Sequence, residues 1–135
     1  MRPDDKKYGY SGKVSFKNTK ALTDAGLKLD RPFRAGWDYN QDGGYASAID
    51  LEYNGKVFKA PTFGEAFDFL RGKGVVVTMI PCLTYALKDH IGYHYSITVF
   101  DEKEGRLKVE DDTEFGSFNL EAEAAIEKAI RYIRN

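Results

Sequence analysis

Hydrophobic positions along this chain recur with two different periods, and the changes of period divide it into elements. Over 14–26, Val14, Phe16, Ala21, Leu22 and Ala25 suit a short amphipathic helix. Ser15 is placed to cap it, because a serine hydroxyl can accept from a first-turn amide that has no helical partner, and Gly26 is placed to end it. After Asp30-Arg31-Pro32 the period changes to two. Residues 33–39 read as a strand and the turn-rich 40–44 follow. From Tyr45 on, Ile49, Leu51 and Tyr53 alternate with Asp50 and Glu52. Asn54-Gly55 then leads into 56–60. Asn-Gly between such runs predicts a tight hairpin, since both turn positions require positive φ.

The period returns to helical at 62–71. Thr62-Phe63-Gly64-Glu65 fits a capping box, and Phe63, Ala66, Phe67 and Leu70 share one face. Gly72 and Gly74 are suited to ending the helix. Residues 75–80, VVVTMI, are apolar on both alternating faces but for Thr78 and predict an interior strand, with Pro81 marking its end or an irregularity. Leu83, Tyr85 and Leu87 continue the extension to a turn at 88–90. Tyr93, Tyr95, Ile97 and Val99 then alternate with His94, Ser96, Thr98 and Phe100. A turn at 102–105 leads to 106–111, where Leu107 and Val109 are expected to face inward. Asn119 is placed to cap a last helix with the apolar stripe Ala122, Ile126, Ala129, Ile130 and Ile133. Its acidic residues come early and its basic ones late, matching the helix dipole.

The expected fold is therefore α+β and two-layered, in the order α-βββ-α-βββ-α. It has two antiparallel three-stranded meanders, separate or joined in one sheet, and three helices. Residues 1–13 read as a flexible N-terminal arm and 14–135 as a single domain.

Composition narrows the classes of function. The chain of 135 residues carries 20 Lys plus Arg against 21 Asp plus Glu, a formal net charge of -1, so non-specific nucleic-acid binding is not expected. One cysteine and two histidines exclude an intramolecular disulfide and leave few ligands for a transition metal. Neither a signal-peptide core nor a membrane-length apolar run is present, so a soluble cytoplasmic protein with no membrane partner is expected.

Three stretches carry a resemblance: VSFKNTKALTDAGL, APTFGEAFDFLRGKG and FNLEAEAAIEKAIRYI. Together they are similar to a group of small uncharacterised proteins encoded by phages, prophages and other mobile elements of gut Bacteroidetes. These motifs are helix caps and core positions. The resemblance implies a setting, a small accessory protein of a mobile element, and assigns no site residue.

Candidate chemistry is confined to a few places. Asp38, Asn40 and Asp42 with Gly43 put oxygen ligands at positions 1, 3 and 5 and glycine at 6, as a calcium loop does. The twelfth position is Ile49 where the bidentate glutamate belongs, and a polar hairpin turn needs the same residues; turn is the preferred reading. Trp37, Tyr39 and Tyr45, with Tyr53 and either Arg31 or Arg34, can frame a pocket for a planar anionic ligand such as a nucleotide, or form core. Among these, Arg34, Trp37, Tyr39 and Tyr45 are the candidate ligand-binding set. Asp89, His90 and His94, near Cys82, could support a hydrolase, but no glycine elbow or oxyanion-hole sequence accompanies them, and no catalytic residue is assigned. Residues 101–114 hold seven acidic side chains against three basic ones, suiting either a basic partner or a solvated hairpin edge.

The expected function is thus a non-enzymatic binding protein of a mobile element that engages a host protein or sequesters a small anionic ligand. The alternatives are a nucleotide- or divalent-metal-binding module and a small hydrolase using the His90/His94 region. Homo-oligomerisation stays open.

Overall fold

In the computed structural model, which describes residues 9–48, 57–87, 90–112 and 115–133 (backbone only at 82–87, 90, 91, 101 and 106), each helix begins where a hydroxyl takes an unpaired amide. Ser15 accepts from Asn18 N and opens α1 (Phe16–Asp24). Thr62 accepts from Glu65 N, and the Glu65 side chain reaches back to Thr62 N, so α2 (Phe63–Gly72) has the full capping box. The two remaining amides of that turn are met by residues of the expected arm. Phe63 N donates to Gly12 O at 2.9 Å and Gly64 N to Tyr10 O at 2.8 Å. The Tyr10 ring lies edge-on to Phe67 and Phe118, so residues 10–12 are laid against the start of α2. At α3 (Phe118–Ile130) the cap is Ser117, accepting from Leu120 N, and not Asn119. The helix starts early because Phe118 must lie within it to meet Phe63 and Tyr93 edge-on.

One antiparallel sheet runs β1 (Val75–Leu87), β2 (His90–Asp101) and β3 (Arg106–Asp111), ordered β1-β2-β3. The fold is α+β, with α2 and α3 on one sheet face and α1 packed on α3. Val75, Val77 and Met79 face Val99, Ile97 and Tyr95 across the ladder, and all but Val99 are buried beneath the helices. With Leu22, Phe63, Phe67, Leu70, Ala122, Ile126 and Ala129 they make one core. A carboxylate ties α1 to α3: Glu123 accepts from Ser15 N at 2.7 Å, Ser15 Oγ at 2.5 Å and Asn18 Nδ2 at 2.7 Å.

Three expectations need correction. Among the described residues strand β1 lies at the sheet edge, not inside it, which is where Pro81, opposite Tyr93 and without an amide to donate, is tolerated. In β3 the register is one residue away from the expected phase: Lys108 and Glu110 pair with Val99 and Ile97 on the helix side, while Leu107 and Val109 pair with Phe100 and Thr98 on the outer face. Polar contacts to the last helix favour that register. Tyr132 Oη donates to Glu110, Lys128 Nζ lies 3.4 Å from it, and Lys108 Nζ is 5.7 Å from the Tyr132 ring centroid.

The third correction concerns the first meander. Residues 33–39 form no strand. Gly36, at φ +77, turns the chain, and Trp37 N and Asp38 N both donate back to Arg34 O. Only isolated bridges join Tyr39 to Tyr45 and to Phe58. The hairpin expected at Asn54-Gly55 and the alternation of Ile49, Leu51 and Tyr53 lie outside the described residues. Described residues thus give one meander, following α2. Among the described residues no helix is long and apolar enough to cross a membrane.

Candidate functional site

The described residues of the connector between α1 and α2 are joined by isolated backbone bridges at Tyr39, and side chains fix the rest of their path. Asp38 is fully buried and takes a two-pronged ion pair from Arg31, with Nη2 to Oδ1 at 2.6 Å and Nη1 to Oδ2 at 3.0 Å. Arg34 N and Ala60 N donate to the same carboxylate at 2.8 and 2.9 Å. Burial by itself would raise the Asp38 carboxyl, but the Arg31 guanidinium and the two amides outweigh it and hold it below the usual carboxylate range. Ala60 O accepts from both Arg31 Nη2 and Trp37 Nε1, each at 2.9 Å, and Lys59 Nζ donates to Arg31 O at 2.6 Å. This knot draws the two ends of the connector together.

Three aromatic rings stand on it. Trp37 is held through its indole N–H. Tyr39 is buried, and its hydroxyl donates to Val14 O at 2.8 Å. Tyr45, brought round by the 40–44 turn, stacks on Tyr39 with centroids 6.4 Å apart and planes 17° apart. An ammonium sits among them. Lys13 Nζ lies 5.3 Å from the Trp37 centroid, 4.6 Å from that of Tyr39 and 4.0 Å from that of Tyr45, and donates to Trp37 O at 3.0 Å. Burial lowers the Lys13 pKa, against a smaller opposing pull from Asp38. Burial likewise pushes the Tyr39 phenol up to about 12, with Glu123 and Tyr45 adding to it.

The structure thus brings Trp37, Tyr39 and Tyr45 together, but around a cation that belongs to the chain. Arg34 is exposed and serves the site through its main chain. Asp38, Asn40 and Asp42 face different partners. The Asp38 carboxylate meets Arg31, Asn40 Oδ1 accepts from Asp42 N at 2.9 Å and Gly44 N at 3.0 Å, and Asp42 is exposed. Among the described residues no group of three or more His, Cys, Asp or Glu side chains could hold a metal ion. His94 sits on the outer sheet face, stacked on Phe115 with centroids 5.1 Å apart. Asp89 and the side chains of His90 and Cys82 lie outside the described residues. Sequence reasoning missed Lys13 as a member of the cluster, and no local signal links it to rings at 37, 39 and 45. It offered Arg31 or Arg34 as the charge for an anionic ligand, whereas Arg31 is taken up by the buried Asp38.

A second feature lies on the other side of the sheet. Phe100 and Leu107 are cross-strand partners, Val109 sits beside them, and their exposures are 52, 63 and 54%. Comparison with known protein families, curated proteins and solved structures finds no match to this chain.

Proposed function

We propose that this is a non-enzymatic binding protein that engages a partner protein through the outer face of β2 and β3. One observation carries the reading: Phe100, Leu107 and Val109 form a contiguous apolar patch, each more than half exposed, on the sheet face opposite the helices. Scattered apolar residues need no explanation, but a contiguous patch of this kind marks an interaction surface. Asp111 on the same face and Glu102, Lys103 and Glu104 in the adjoining turn are exposed and together net acidic, so the partner suited to it has apolar anchors within a net basic rim. The resemblance to mobile-element proteins supports a protein of the bacterial host as that partner. A hydrolytic reading has less support, since the contact His94 makes among the described residues is a ring stack on Phe115.

The test compares wild type with Leu107→Asp/Val109→Asp as baits in bacterial extract, with quantitative mass spectrometry and light scattering of each bait. The expected result is a host protein enriched by wild type, lost with the double variant and kept with Lys20→Ala, a change at an exposed position of α1. No difference between the baits overturns the proposal. A wild-type dimer that the double variant dissociates also overturns it, and reassigns the patch to self-association.

A further inference from the structure

We infer that Trp37, Tyr39 and Tyr45 form a binding site for methylated ammonium groups, and that Lys13 is its built-in competitor. One cationic nitrogen lies over three rings, 4.0 to 5.3 Å from their centroids, two of those rings being nearly parallel. The negative ring faces attract a cation, and this attraction strengthens as the cation sheds water. Two of the walls are fixed before any ligand arrives, Trp37 by its bond to Ala60 O and Tyr39 by its bond to Val14 O. The third, Tyr45, is 65% exposed and leaves the site open to solvent.

The present occupant is a poor match for these walls. A primary ammonium brings three N–H donors and a tightly held water shell. Among the described residues the site meets it with one hydrogen bond, to Trp37 O. A quaternary ammonium carries the same charge, needs no acceptor and gives up its hydration more cheaply. Lys13 prevails by tethering. Its backbone bridges Thr62, and the neighbouring Gly12 O accepts from Phe63 N, so the ammonium is held beside the rings at high effective concentration. The side chain alone can swing out while the backbone stays docked. An external ligand therefore binds only in competition with Lys13, and its apparent affinity falls by the fraction of molecules in which the cage is vacated.

Trp37 is the only tryptophan of the chain, so its emission reports on the cage directly. The experiment titrates wild type, Lys13→Ala, Lys13→Arg and Lys13→Ala/Tyr45→Ala with tetramethylammonium, choline and a trimethyllysine peptide, with the unmethylated peptide as control. Lys13→Ala is expected to give a saturable change at a concentration at least about tenfold below that of wild type. Lys13→Arg should stay with wild type, and the double variant should lose the response. Equal strength of choline and peptide assigns the ligand to free alkylammonium compounds, and a peptide advantage assigns it to methylated lysine on a protein. A folded Lys13→Ala protein that responds to none of the probes overturns the inference, as does a response that survives the loss of Tyr45. Should Lys13→Ala not fold, NMR of wild type decides. The Lys13 side-chain protons, shifted upfield by the rings, must move toward ordinary values as choline is added, and fixed shifts overturn the inference.

Discussion

From Thr62 onward the chain is held by periodic apolar burial, whereas the described residues between α1 and α2 are held by isolated backbone bridges and a few polar side chains. In the first region Phe63, Phe67 and Leu70 of α2 and Ala122, Ile126 and Ala129 of α3 close over β1 and β2. Any one contact there is small, and the total is large because many are made at once. In the second region Asp38 alone accepts from Arg31, Arg34 and Ala60, and Ala60 in turn holds Trp37. Order there depends on single groups. An irregular backbone also lets residues distant in sequence converge, so the cage of Lys13, Trp37, Tyr39 and Tyr45 is found there and not on the helices.

The largest effect should come from the apolar region. Phe63 is almost wholly buried and touches both Phe67 and Phe118, which joins α2 to α3. Phe63→Ala should cost about 3 to 5 kcal/mol in urea unfolding, most of the stability of a small domain. A loss below about 1 kcal/mol would contradict the view that this helix seals the core.

The polar knot should give the next largest effect and a distinct pH signature. Asp38→Asn leaves Arg31 with a weakened partner, at a cost on the order of 3 kcal/mol, the lower end for a broken buried pair because Arg31 retains some exposure. The folded-state pKa of Asp38 lies below its unfolded value of about 3.9, so its stabilisation is complete above about pH 5 and is lost as the pH falls through the folded value. Wild type should therefore lose stability between pH 5 and acid more steeply than Asp38→Asn, read as the difference in urea midpoints. Parallel losses would show that the ion pair contributes nothing to global stability, and would confine the knot to local ordering.

How much of this was legible in the sequence follows the same division. The caps at Ser15 and Thr62, the apolar face of α2, the stripe of α3 and the 75–111 meander could be read because each rests on spacing within a few residues. Residues 33–39 alternate in the manner of a strand, yet Asp38 and Gly36 turn them, because the Arg31 pair and the Arg34 amide offer the backbone a better set of bonds than a ladder. Nothing local to Asp38 marks Ala60 as its partner. For the candidate site, the aromatic members were legible as a cluster, but the cation at its centre was not, because Lys13 precedes α1 while the rings it meets follow that helix. Strand order and the phase of β3 likewise depend on what packs against them: the period of two in 106–111 is genuine, but it does not say which set faces the helices.

That phase makes the smallest expected effect the most informative about the sheet. Leu107 is 63% exposed, so Leu107→Ala should change stability by no more than about 0.5 kcal/mol. An inward Leu107 would instead cost about 2 to 5 kcal/mol on the same substitution. The two registers differ by a single residue, and every side chain of β3 changes face between them. A large loss would therefore move Lys108 and Glu110 to the outside, separate Glu110 from Tyr132 and Lys128, and dissolve the apolar patch on which the proposed partner docks. A negligible loss keeps Leu107 beside Phe100 at the surface, exposed at little cost to the fold and available to a partner.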